Sequence, residues 1–89
     1  MINAKVSQFE GRNGAVKNQF ILSTPEGRYF QSYKTVIAFI SNDGKVKLDA
    51  GSWDYSVTTG RYRNQFLGEN KAETQKQIDS GKYELTNLN

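Results

Sequence analysis

Asn13-Gly14 is the strongest constraint on this chain, because it stands between Lys5-Val6-Ser7-Gln8-Phe9-Glu10 and Val16-Lys17-Asn18-Gln19-Phe20-Ile21-Leu22. Both residues tolerate the positive φ that a two-residue hairpin turn requires, so the dipeptide predicts two antiparallel neighbouring strands. Pro25-Glu26-Gly27 repeats the punctuation, with Pro at the second and Gly at the fourth position of a type I turn. From Arg28 to Tyr33 aromatic and polar residues alternate in part, which puts Tyr29, Gln31 and Tyr33 on one face and Phe30 and Ser32 on the other. Thr35-Val36-Ile37-Ala38-Phe39-Ile40 is the most continuous apolar run and is expected to be a central strand covered on both faces. Asp43-Gly44 marks another tight hairpin, leading into Lys45-Val46-Lys47-Leu48 with Val46 and Leu48 inward and the lysines in water.

After Ala50-Gly51 the pattern changes from strands to helices. Tyr62, Phe66 and Leu67 fit one face of a short helix that starts near Thr58 or Thr59 and stops at Gly68. Asn70 with Glu73 forms a capping-box pattern, and Gly81 sits where a left-handed C-terminal residue belongs, so a second helix is expected over 71–80. Its apolar face is thin, Thr74 and Ile78, which implies a surface helix. Tyr83-Glu84-Leu85-Thr86 can return as an edge strand. Together these signals predict one α+β domain over 1–89, an antiparallel sheet of about five strands followed by one or two short helices.

A chain of 89 residues has room for one core, and only 36% of it is hydrophobic. The 5 Phe, 5 Tyr and 1 Trp must therefore face mostly inward, which limits how many can serve a ligand. Trp53 is expected to pack against the helix of Tyr62 and Phe66. Cysteine and histidine are both absent, removing disulfides, thiolate chemistry and the commonest general base and transition-metal ligands. No catalytic residue and no cofactor are assigned, and a small hydrolase or nuclease ranks last among the functions considered. Met1-Ile2-Asn3-Ala4-Lys5 leads straight into polar sequence and no window approaches the length of a membrane span, so the reading is a soluble, cytoplasmic protein.

The net charge of +3 matters less than its distribution. Arg61 and Arg63 stand in 56–68 without an acid, and the positive field is expected at the middle of the chain. This defines the first candidate site: Ser56, Thr58, Thr59, Arg61, Arg63 and Asn64, with hydroxyls and free N–H groups at a helix start beside guanidinium forks suited to an anion. Gly60 allows close backbone approach. The plain alternative is an ordinary helix cap with Arg61 paired to Asp54. The second candidate is an aromatic and basic strand surface of Arg28, Tyr29, Gln31, Tyr33, Lys34, Lys45 and Lys47, the interleaving used to stack bases and hold phosphates, against the alternative that its tyrosines are core. Asp43, Asp49 and Asp54 match no calcium or magnesium loop, so no metal site is assigned.

Phe30-Gln31-Ser32-Tyr33-Lys34-Thr35-Val36-Ile37-Ala38 followed by Trp53-Asp54-Tyr55-Ser56-Val57-Thr58-Thr59-Gly60-Arg61-Tyr62-Arg63-Asn64-Gln65-Phe66-Leu67 resemble a group of small proteins encoded by bacteriophages and mobile elements. These share S-Y-x-T-x-I-A and Y-S-x-T-T-x-x-x-x-N-x-F-L stretches and are generally of unassigned function. The resemblance spans about the middle half of the chain. It implies a phage origin, action in the cytoplasm of an infected bacterium, and a non-enzymatic accessory role: binding and modulating a host or defence component, such as a CRISPR effector or another nucleic-acid machine. Direct binding of nucleic acid or a nucleotide phosphate by the same positive patch is the second expectation. No membrane partner is expected, and the oligomeric state is left open.

Overall fold

The computed structural model describes residues 5–11 and 14–89, so Asn13 of the hairpin dipeptide and the segment Met1–Ala4 lie outside the described residues. The described chain forms β1 (Lys5–Gly11), β2 (Gly14–Thr24), β3 (Gly27–Ser32), β4 (Thr35–Ser41), β5 (Val46–Asp49), α1 (Val57–Leu67), α2 (Lys71–Asp79) and β6 (Tyr83–Thr86). The strands lie in one sheet in sequence order, β1 to β6. Four neighbouring pairs are antiparallel and β5 and β6 run parallel, so the expected α+β domain with a mostly antiparallel sheet and two following helices is present, with β6 as the added parallel strand. The reason is connectivity: the two helices carry the chain back along the sheet, so Tyr83 enters beside Val46 in the same direction.

Two irregularities set which side chains face the helices. Between Phe30↔Ala38 and Gln31↔Val36 an extra residue, Ile37, is inserted into β4, and Ile37 and Ala38 both reach the core although they are adjacent. In β2 the partner of Phe9 is Val16 while that of Gln8 is Phe20, so Lys17, Asn18 and Gln19 bulge out of the β1 ladder. Asn18 takes φ 65° there, and its carbonyl accepts from the Tyr33 N–H at 2.7 Å. Asn is among the few side chains that tolerate this backbone region.

The helices form where the sequence caps them. Ser56 caps α1 and Gly68 closes it at φ 73°. Asn70 and Glu73 make the reciprocal capping box of α2, with bonds of 2.8 and 3.0 Å. Tyr62, Phe66 and Leu67 from α1 and Ile78 from α2 cover a core of Phe9, Phe30, Ile37, Ala38, Val46 and Leu48. Phe30 meets Phe9 and Phe66 at ring distances of 5.5 and 5.8 Å. Glu69, in the short link between the helices, accepts from Tyr83 Oη at 2.7 Å and Thr74 Oγ1 at 2.6 Å, tying β6 to α2. Burial, and then the neighbouring Glu69 carboxylate, push the Tyr83 phenol well above the ordinary tyrosine range.

Both helices lie on one face of the sheet. Phe39 is buried yet belongs to the other face, where it packs on Tyr29 at 4.4 Å, and among the described residues no helix or strand covers that face. The expectation that the 35–40 strand is covered on both sides is corrected accordingly: Phe39 is shielded by cross-strand neighbours instead of by a second layer. Among the described residues no helix is long and apolar enough to cross a membrane.

Candidate functional site

Val57 begins α1 one residue earlier than the Thr pair suggests, because Ser56 and not a threonine is the cap. Ser56 has extended backbone angles and its Oγ accepts from the Thr59 N–H at 3.1 Å. Thr59 itself points into the fold, where its hydroxyl meets that of Ser32 at 2.9 Å and both residues are fully buried. This bond joins the start of the β3–β4 turn to the first turn of α1. Ser32 is a residue the site assignment missed, although strict alternation along β3 had already turned it inward.

Arg63 is the largest fully buried side chain, 1% exposed. Its Nη1 donates to the Trp53 carbonyl at 2.7 Å and contacts Asp54 Oδ1 at 3.3 Å, while Nη2 donates to Asn64 Oδ1 at 2.9 Å. The guanidinium also lies 5.2 Å from the Trp53 ring centre, a cation–π contact. Trp53 therefore packs on the guanidinium of α1 as well as beside the core. The other oxygen of Asp54 holds Lys71 at 2.7 Å. Lys71 above all, opposed by partial burial and helped by Arg63, keeps the Asp54 carboxyl below the usual carboxylate range. The expectation of two arginines without a nearby acid is thus corrected at Arg63: the acid sits nine residues upstream and the turn through Tyr55 brings it back. A Cβ at Gly60, one turn before Arg63, would stand 3.5 Å from Nη2, in ordinary contact with the guanidinium.

Around this ionic base lies an open groove of about 630 Å³, lined by 54–57, Gly60, Arg61, Arg63, Asn64 and Lys71. Of the first candidate set, Ser56, Arg61, Arg63 and Asn64 meet here. Thr58 is exposed on the first turn, and Thr59 is withdrawn into the core. Arg61 is exposed and makes no ion pair among the described residues, so it is Arg63, and not Arg61, that holds Asp54. Val57 is 84% exposed and Tyr55 52% exposed on the rim. Lys71, from α2, belongs to the groove and had no local signal, since its place depends on the link between the helices.

The second candidate set is divided. Arg28 lies on the helix side, its guanidinium 5.8 Å from the Phe66 ring centre. Tyr29 and Lys47 lie on the opposite face, in register across Phe39. Tyr33 leaves the strand alternation at φ 56° and, with Lys34, forms the β3–β4 turn. Lys45 stands in the β4–β5 connection, 4.0 Å from Asp43. These residues do not form one stacking platform, because the sheet separates Arg28 from Tyr29 and the turn removes Tyr33.

Asp43, Asp49 and Asp54 are likewise apart. Ser41 Oγ donates to Asp43 and, outweighing a slight burial effect, holds its carboxyl below the ordinary range. Burial of Asp49 is outweighed by the Leu88 N–H at 2.9 Å and by the Ser52 and Asn89 side chains, so its carboxyl is also lowered. Among the described residues no group of three or more acids could hold a metal ion.

Residues 4–82 match DUF8033, described as a family of unknown function, and the chain belongs to that family. No curated protein and no solved structure matches the chain.

Proposed function

We propose that the chain is a non-enzymatic binding protein whose contact surface is the rim of the α1 groove, centred on Tyr55, Val57 and Arg61. One observation carries this reading: Val57 and Tyr55 are 84% and 52% exposed, and both line a groove that also holds the buried Arg63 guanidinium. A helix cap accounts for Ser56 and Thr59 but gives no role to an apolar side chain and a tyrosine held in water. Tyr and Arg are the residue types enriched where interfaces concentrate their energy, and a rigid floor lowers the ordering cost of binding. Arg61, Arg63 and Lys71 against Asp54 leave the groove positive, which suits an acidic protein surface. The resemblance to phage and mobile-element proteins supports a host or defence component in the bacterial cytoplasm as the partner, such as a CRISPR effector or another nucleic-acid machine.

Direct phosphate binding is the second reading, favoured by the exposed Arg61, which makes no ion pair among the described residues, next to the start of α1. A pull-down from bacterial lysate, with and without nuclease, tests both. The expected result is a protein partner that survives nuclease and is lost with Val57→Glu or Arg61→Gln, both of which leave the fold intact. A partner that disappears with nuclease moves the assignment to nucleic acid, and one retained by both variants removes the groove from the site.

A further inference from the structure

Leu22 and Phe39 are 8% and 7% exposed, yet neither belongs to the core beneath the helices. They belong to the uncovered face of the sheet. Register places Val6, Leu22, Tyr29, Phe39, Lys47 and Glu84 in one row across all six strands on that face. The neighbouring row adds Gln8, Phe20, Gln31 and Val36. On β1 to β4 these two rows hold no charged residue. An antiparallel sheet with one solvated face ordinarily alternates apolar inside with polar outside, and this one instead repeats apolar side chains on both. Val6, at 63% exposure, is left bare at the edge of the patch.

Besides Glu84 on β6, charges of both signs on this face gather around a shallow depression of about 390 Å³, where Lys45 stands 4.0 Å from Asp43. Glu26 and Asp43 line it together with Lys45 and Lys47, and Tyr29 and Phe39 form its floor. The turns that carry them are fixed to each other: Asn42 donates through its N–H to the Glu26 carbonyl at 3.1 Å and through Nδ2 to the Pro25 carbonyl at 2.7 Å. Glu26 therefore stands at a set position on the β2–β3 side and Lys45 on the β4–β5 side, flanking the β3–β4 axis.

We propose that this face binds a second copy of the same chain, sheet against sheet, about a two-fold axis running along the strands between β3 and β4. That operation sets Tyr29 of one copy over Phe39 of the other, and brings the β2–β3 turn of one copy over the β4–β5 connection of the other. Glu26 of each copy then faces Lys45 of its partner, and the Lys47 stem covers Leu22. The contact is isologous: Tyr29 meets Phe39 twice about the axis, and at its edges Val6 of each copy comes over Glu84 of the other. Sheets pack face to face about 10 Å apart with interdigitated side chains, so residues such as Val6 and Phe20 exchange water for the opposing sheet.

Sedimentation equilibrium on the full chain, from low to high micromolar concentration, tests the proposal. The expected result is a concentration-dependent mass rising to twice the 10.1 kDa of the chain. Val6→Glu, at an exposed position the fold does not need, is expected to weaken self-association about tenfold or more by placing a charge in the contact. Glu26→Lys and Lys45→Glu are each expected to weaken it, and the double swap to restore it. A chain that stays monomeric throughout the range overturns the proposal. So does a dimer that is indifferent to Val6→Glu and to both single charge reversals, since that dimer uses another surface.

Discussion

Neutralising Arg63 and neutralising Arg61 are expected to differ sharply, although the two residues are neighbours in a motif. Arg63→Gln removes a guanidinium that is 1% exposed and donates to Trp53 and Asn64 at 2.7 and 2.9 Å. Hydrogen bonds made by a charged group contribute about 1.5–3 kcal/mol each, and breaking a buried ion pair costs about 3–5 kcal/mol when the other charge is stranded. Asp54 is not stranded, because Lys71 still holds it at 2.7 Å. The lower end applies, about 3 kcal/mol, from a domain whose whole stability is about 5–15 kcal/mol. With a urea slope of about 1 kcal/mol/M for a chain of this size, the midpoint falls by about 3 M. Arg61→Gln, at an exposed position, is expected to change stability by less than about 0.5 kcal/mol. Urea unfolding of both variants, followed by Trp53 fluorescence, decides the matter. If the midpoint of Arg63→Gln coincides with that of Arg61→Gln, Arg63 is not a structural residue and the account of the groove floor is wrong.

Gly60→Ala is expected to stabilise the fold by about 0.5–1 kcal/mol, since the new methyl makes ordinary contact with Arg63 at 3.5 Å and glycine costs about that much inside a helix. Gly27→Ala is expected to do the reverse by several-fold more, because at φ 154° its Cβ would overlap the Ile40 carbonyl oxygen and the Ser41 backbone; a thermal melt of the two variants gives both signs. Ile37→Ala, at 0% exposure, is expected to cost about 2–5 kcal/mol through the cavity it leaves in the core, and an unchanged urea midpoint would place Ile37 outside it. Asp49 and Asp54 both titrate below their ordinary 3.8, so the stability they add is complete above that pH and is lost as pH falls through their lowered values. Melting temperature is expected to be flat from neutrality down to about pH 4 and to fall below it, less steeply in Asp49→Asn, whereas equal acid slopes would remove Asp49 from this role.

Signals that act within a few residues were legible in the sequence. The Asn70–Glu73 box, Gly68 and Gly81 in the left-handed region, and the inward Val46 and Leu48 all follow from local backbone chemistry, and all are present. Residues whose role depends on distant partners were not legible in this way. Arg63 reads as a free cation until Asp54 and the Trp53 carbonyl are folded back onto it, and Thr59 reads as a cap until Ser32 arrives from 27 residues away. Alternation along β3 held through Ser32 and then failed at Tyr33, where the chain turns with φ 56° and no β-propensity scale gives warning. The direction of β6 was similarly hidden, because a tetrapeptide carries no mark of parallel or antiparallel pairing.

The parallel pairing of β6 has a kinetic consequence. The hairpins β2–β3 and β4–β5 close over a handful of residues, but joining Val46 to Tyr83 closes a loop of 37. Loop closure costs about 0.6 kcal/mol more per doubling of length, so roughly three doublings set this step about 2 kcal/mol behind the hairpins before any contact repays it. The hairpin meander is therefore expected to assemble first, and β6 to dock only once α1 and α2 have shortened the effective span. Mutations at the Tyr83–Glu69–Thr74 junction should then accelerate unfolding while leaving the folding rate almost unchanged, and a matching slowdown of folding would mean that the sheet closes early.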